Sequence, residues 1–155
     1  MTSRIFIVVL ALTVLCVKVD ADAVGWQDSG TYSRFDTYDG TRDVIETRLI
    51  LDNFAKQLNT QRALGGYLIA YAGKEACRNE AKSRLLEAKR YLKEKHNIDS
   101  AQITLLDGGF RTNWVVEIWL GFRQNRPPQK EPTLNKNQVK IIKNCDPVKL
   151  RIRIT

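Results

Sequence analysis

The sequence is poor in the side chains on which most enzymes depend. It holds one histidine, His96, in 155 residues. A hydrolase that attacks through Ser or Cys needs a base beside the nucleophile. His96 lies in "EKHNID", at a helix end, where it reads as a solvated cap. There is no Gly-x-Ser-x-Gly elbow and no phosphate-binding glycine loop. Carboxylates such as Glu75, Glu80, Asp107 and Glu117 can be paired on paper, but any chain with 17 acids yields such a list. Cysteine is scarce too, and none of the three is at the spacing of a zinc site. These absences argue against catalysis, a metal and a cofactor. They leave binding or scaffolding as the classes to weigh.

Long apolar runs are also missing, with one exception. "IFIVVLALTVLCV" follows the short basic start "MTSR" and precedes "ADA" (Ala21, Asp22, Ala23). The run is short for a bilayer span, and the arrangement is that of a secretory signal peptide. Residues 1–23 are therefore expected to be a signal peptide and Val24 the mature start, with an uncleaved anchor as the alternative. Cys16 follows Leu15 rather than a small residue, which argues against lipid attachment. Cys77 and Cys145 then remain. An even count in an oxidising compartment suggests one disulfide. It would tie the C-terminal tail to the main domain, with a loop-closure contribution of roughly 4 kcal/mol.

What is abundant is positive charge: 25 Lys and Arg against 17 Asp and Glu, a net +8. Removing residues 1–23 leaves that excess unchanged. Such a chain suits anionic surroundings, whether cell-wall polymer, lipid headgroups or nucleic acid. The same charge equally serves solubility.

The order of elements is readable from Thr31 onward. "TYSRFDTY" alternates as a short edge strand. In "TRDVIETRLILDNFAKQLN", Thr41 or Asp43 can cap a helix, and Glu46 stands three residues after Asp43 as in a capping box. Ile45, Leu49, Leu51, Phe54, Ala55 and Leu58 recur at roughly helical spacing. "GGYLIAYAG" is a short continuous apolar run, predicting a strand buried on both faces. A second helix is expected from about Glu75 to His96, with Ala81, Leu85, Ala88 and Leu92 as its buried stripe. Two alanines there allow close approach to a sheet, and Arg78, Lys82, Lys89 and Lys93 lie mostly on the other side. "QITLLDGG" and "NWVVEIWLGF", which carries Trp114 and Trp119, complete a β-α-β-α-β-β order. A helix between consecutive strands implies crossover connections. The expected fold is an α/β sandwich, one mixed sheet with two helices on one face, over residues 24–122. Residues 123–155 change character. "RQNRPPQKEPTLNKNQ" reads as a linker or extended arm. "VKIIKNCDPVKLRIRIT" fits either an added edge strand or a basic tail held against a surface.

Binding signals cluster around the second helix. Lys74, Arg78 and Lys82 lie at and after its start, where free backbone N–H groups favour anions. Arg84, one turn further in, is a fork-shaped donor suited to a carboxylate. The "LDGGFR" turn, with Asp107, lets backbone approach a partner closely, or is an ordinary glycine-rich corner.

"LDNFAKQL", "YLIAYAG", "RNEAKSRLLEAKRYLKEKHNIDSAQITLLDGG" and "VVEIWL", from about Leu49 to Leu120, resemble the OmpA-like C-terminal domain, which associates with peptidoglycan in diderm bacteria. The resemblance implies a non-catalytic cell-envelope protein, secreted across the inner membrane into the periplasm or held at the outer membrane. Its partner would be peptidoglycan or another envelope protein, not nucleic acid, with at most a peripheral membrane association. It implies that Arg84 binds the carboxylate of the stem-peptide diamino acid, beside Lys74, Glu75, Asn79 and Asp107. The family's ammonium-binding aspartate falls on Gly73 or Lys74, and Glu75 is the nearest carboxylate. That departure opens an alternative: a scaffold that has lost the peptidoglycan site and acts in protein–protein contacts through its basic C-terminal tail.

Overall fold

The strand expected at "GGYLIAYAG" is the centre of the molecule. In the computed structural model, β2 (Leu64–Ala72) is buried along nearly its whole length. The structure describes residues 32–145. The expected signal peptide, 1–23, and the end of the basic tail, 146–155, lie outside the described residues.

Around β2 stand β1 (Tyr32–Asp39), β4 (Ile103–Phe110) and β5 (Val115–Phe122), in the spatial order β1-β5-β2-β4. β4 runs parallel to β2, and β5 is antiparallel to both β1 and β2. Helices α1 (Val44–Thr60) and α2 (Glu80–His96) connect the parallel strands. Both pack on the face that carries Leu68, Ala70 and Ala72 of β2 and Val116 and Ile118 of β5. The result is the expected α/β sandwich, a mixed sheet under two helices.

The α1 start follows from its sequence. Asp43 Oδ1 accepts from the Glu46 N–H at 2.7 Å, and Glu46 Oε2 accepts from the Asp43 N–H at 3.2 Å. This is a reciprocal capping box. Leu51, Phe54, Ala55 and Leu58 are buried as the spacing predicts, together with Ile50. Ile45 and Leu49 are 66% and 56% exposed instead, because at 100° per residue they fall outside that stripe. Gly66 explains how close α1 comes to the sheet: a Cβ there would lie 2.5 Å from Phe54 Cζ.

The second helix has the expected stripe, Ala81, Leu85, Ala88 and Leu92, all buried. It begins later than expected. Residues Glu75–Cys77 form a strand, β3, that pairs in parallel with β6 (Lys140–Ile142). Asn79 then turns the chain in the left-handed region at φ 61°, and the helix starts at Glu80. Pairing with residues far along the chain overrides local helix propensity here.

The opposite face of the sheet is covered as well. Tyr67, Ile69 and Tyr71 point there and are buried. The chain after Phe122 crosses that side as an extended arm. The Tyr67 hydroxyl donates to the Phe122 and Asn125 carbonyls, the Tyr71 hydroxyl accepts from the Glu131 N–H, and Pro128 is buried. The arm then bonds to the end of β4, where Thr133 and Leu134 N–H donate to the Phe110 carbonyl. It ends in β6 and a disulfide between Cys77 and Cys145.

Candidate functional site

The residues singled out from sequence gather at one end of the sheet, past the carboxyl ends of β1, β2 and β4. Crossover folds commonly place ligand crevices at this end. The turn after β2 is tied to the turn after β4: Arg111 N–H donates to the Ala72 carbonyl at 2.9 Å, and Lys74 N–H donates to the Thr112 carbonyl at 3.1 Å. These bonds bring Trp114, just before β5, against the first turns of α2.

Arg84 is at the centre of this arrangement, and its guanidinium is already engaged. Nη2 donates to Glu80 Oε1 at 2.7 Å. The planar group also lies over the Trp114 ring, 3.4 Å from its centroid. Side-chain exposure is 11% for Arg84 and 6% for Glu80, so the pair is shielded from solvent. Glu80 Oε2 in turn accepts from the Gly73 N–H at 3.4 Å. One carboxylate thus bridges the helix arginine and the backbone of the turn. Glu80 and Trp114 were not among the expected site residues. Glu80 had a readable signal, since Glu followed four residues later by Arg is a favourable helical pair. Trp114 reaches Arg84 only through the tertiary fold.

One donor of this cluster is left over. Arg84 Nε is buried without a hydrogen-bond partner. It borders a niche of about 20 Å³ lined by Tyr38, Thr47, Glu87 and Trp114, enough for about one water molecule. Burial raises the Tyr38 hydroxyl pKa well above the usual tyrosine range, and the nearby Glu87 charge adds to the shift. Tyr38 is therefore a neutral group here.

The remaining expected residues divide between two open clefts. Lys74 and Glu75 line a cleft of about 440 Å³ with Asp39, Thr41, Asn113 and Trp114. Its Asp39 carboxylate is held below the usual range, chiefly by the Thr41 hydroxyl and then the Thr41 N–H. Glu75 is exposed and faces Lys140 Nζ at 3.5 Å. Asn79 and Asp107 line a second cleft of about 270 Å³ with Arg78, Phe110, Lys136 and Ile141. Asp107 Oδ1 there accepts from the Gly109 N–H at 2.9 Å. Arg84 borders neither cleft. The five residues share one end of the molecule but do not converge on one point.

No family model, characterised protein or solved structure matches this chain. The site therefore rests on its own geometry.

A second arginine is used the same way on the other side of the sheet. Arg111 Nη1 donates to Glu117 Oε1 at 2.9 Å, and its guanidinium lies 3.6 Å from the Tyr71 ring centroid. The Trp119 indole N–H donates to the other Glu117 oxygen at 3.2 Å. Trp114 and Trp119, expected together on the last strand, thus serve opposite faces. Between the helices, Asp52 accepts from Tyr91 at 2.7 Å and from Lys95 at 3.3 Å, and His96 Nε2 lies 2.7 Å from it. Burial works to raise the Asp52 pKa, but the hydrogen bonds from Tyr91, His96 and Lys95 outweigh it and hold the carboxyl below its usual value. Among the described residues, no group of three or more His, Cys, Asp or Glu is placed to hold a metal ion. No described helix is long and apolar enough to cross a membrane.

Proposed function

We propose that this chain is a non-catalytic, exported envelope protein of OmpA-like architecture that works as a protein-binding scaffold. In this reading the place where a cell-wall carboxylate would meet Arg84 is taken by the chain's own Glu80. The observation that carries it is the closed Glu80–Arg84–Trp114 stack, with a 2.7 Å ion pair and a 3.4 Å ring contact. An external carboxylate would have to displace an internal one that is already desolvated, and one charge-assisted contact, worth about 1.5–3 kcal/mol, is a small return for that. Glu75 supports the same reading, since it lines a different cleft and pairs with Lys140. The lysines of the C-terminal arm, Lys136, Lys140 and Lys143, are all exposed and offer the contact surface for an acidic envelope protein.

Sedimentation of residues 24–155 with insoluble diderm peptidoglycan tests the reading, with wild type beside Arg84→Ala. The two proteins are expected to behave alike, with any retention erased at near-physiological salt. Retention that survives salt and disappears in Arg84→Ala would replace this reading with a working stem-peptide site.

A further inference from the structure

We propose that the Cys77–Cys145 disulfide is a releasable clasp. It holds residues 134–145 as a strap over the cleft at the start of α2, and reduction by a dithiol frees the strap while the sandwich stays folded. This goes beyond the scaffold reading and does not depend on it.

Apolar anchoring of the strap is limited to the half-buried Val139, which packs against the core. No residue from 133 to 145 is buried. Its pairing with the body is the three-residue ladder of β3 and β6, an isolated two-stranded sheet. Two further backbone bonds flank it, from Lys140 N–H to the Lys74 carbonyl and from Arg78 N–H to the Ile142 carbonyl. A ladder that short is marginal in water. The Lys140–Glu75 ion pair has both side chains mostly exposed and adds little. Upstream, the chain is pinned at Leu134 by its bond to the Phe110 carbonyl. The clasp therefore closes a local loop of about a dozen residues, and loop-closure entropy for that length favours the docked strap by about 100-fold.

The chemistry is open to an attacker, because Cys145 is exposed and Cys77 only partly covered. A thiolate of the dithiol attacks Cys145 Sγ, forming a mixed disulfide and expelling the Cys77 sulfur, which takes a proton. The second thiol of the dithiol then attacks the mixed disulfide and releases Cys145 as a thiol. The protein gains two electrons and two protons, and the dithiol leaves as a disulfide. Release removes Lys136 and Ile141 from the wall of the 270 Å³ cleft and opens the side of it that holds the half-buried Phe110.

The test is amide hydrogen exchange on the full mature chain, oxidised and after dithiothreitol without denaturant, with Cys77→Ser/Cys145→Ser as the reductant-free control. The expected result is about 100-fold faster exchange at the Lys140 and Arg78 amides in both altered forms, while the β2 amides remain strongly protected even though opening the crosslink lowers global stability. The proposal is overturned by any of three outcomes. The bond resists millimolar dithiothreitol; the Lys140 and Arg78 amides stay within about threefold of the oxidised protein; or the β2 amides exchange as fast as those of the strap, making the disulfide a staple for the whole domain.

Discussion

Replacing Glu80 by alanine tests the internal stack most directly. The substitution leaves Arg84 charged, 11% exposed, and without the carboxylate now 2.7 Å away. It also strips the Gly73 N–H of its acceptor. Breaking one side of a buried ion pair costs about 3–5 kcal/mol, mostly because the surviving charge stays desolvated. The Trp114 stack is present before and after and cancels in the comparison, but the residual exposure of Arg84 lets the cation regain some solvation and lowers the cost. A net loss of about 2–4 kcal/mol is therefore expected, against a total stability of about 5–15 kcal/mol. For a domain of this size that is a fall in Tm of about 8–16 °C. Glu80→Gln keeps an acceptor for only one of the two donors, turns an NH2 group toward the other and leaves the Arg84 charge unpaired, so an intermediate loss of about 1–3 kcal/mol is expected. The double variant Glu80→Ala/Arg84→Met removes both charges and is expected to recover much of the loss. Urea unfolding followed by tryptophan fluorescence measures all three, provided the m-value is unchanged. A loss below about 1 kcal/mol in Glu80→Ala, or a double variant less stable than that single variant, would refute the claim that this pair is a closed internal unit.

Other substitutions probe other layers. Gly108→Ala would bring a Cβ within 2.5 Å of the Tyr71 ring, which is stacked under Arg111 and bonded to the Glu131 N–H. A loss of about 1–3 kcal/mol and faster proteolysis within the 123–139 arm are expected. Leu68→Ala, at a fully buried central position, should cost about 2–5 kcal/mol by chemical denaturation. Asp52 governs acid sensitivity. Its carboxyl is held below the usual aspartate range in the folded chain, so the unfolded state binds the proton more readily. Its contribution is present above about pH 4 and is lost as the pH falls through the lowered value. Asp52→Asn should flatten stability against pH below about pH 4, and an unchanged acid limb would count against the interhelical cluster.

Much of the fold was legible because its signals are local. The Asp43–Glu46 capping box, the doubly buried run at 67–72 and the Ala81–Leu85–Ala88–Leu92 stripe each depend on neighbours within two turns or one strand. The start of α2 was misplaced because β3 exists only through pairing with β6, across a separation that periodicity cannot register. For the same reason the sequence leaves the tail open between strand and basic arm; over its described part, 139–145, the structure shows the short strand β6 and the disulfide. Of the site, Arg84 was found as a residue apt for a carboxylate. Its actual carboxylate, Glu80, stands one helical turn away, one of 17 acids in the chain. Trp114 could not be assigned to Arg84 at all, because the turns after β2 and β4 bring them together only in the folded sheet.

The strand order has a consequence for how the molecule assembles. β5 is the last strand of the main sheet to be made, yet it is inserted between β1 and β2 and is the only partner of β1 in that sheet. A chain emerging from its amino end can join β2 to β4 beneath the two helices before residue 115 exists. Until β5 arrives, β1 has nothing to pair with, and the apolar strand β2 presents an open edge. Such an intermediate is prone to pair with other chains. Closure of the sheet is thus a late event of long sequence separation, which places this protein among slowly folding topologies. A truncation ending before Val115 should be a sticky fragment rather than a smaller domain.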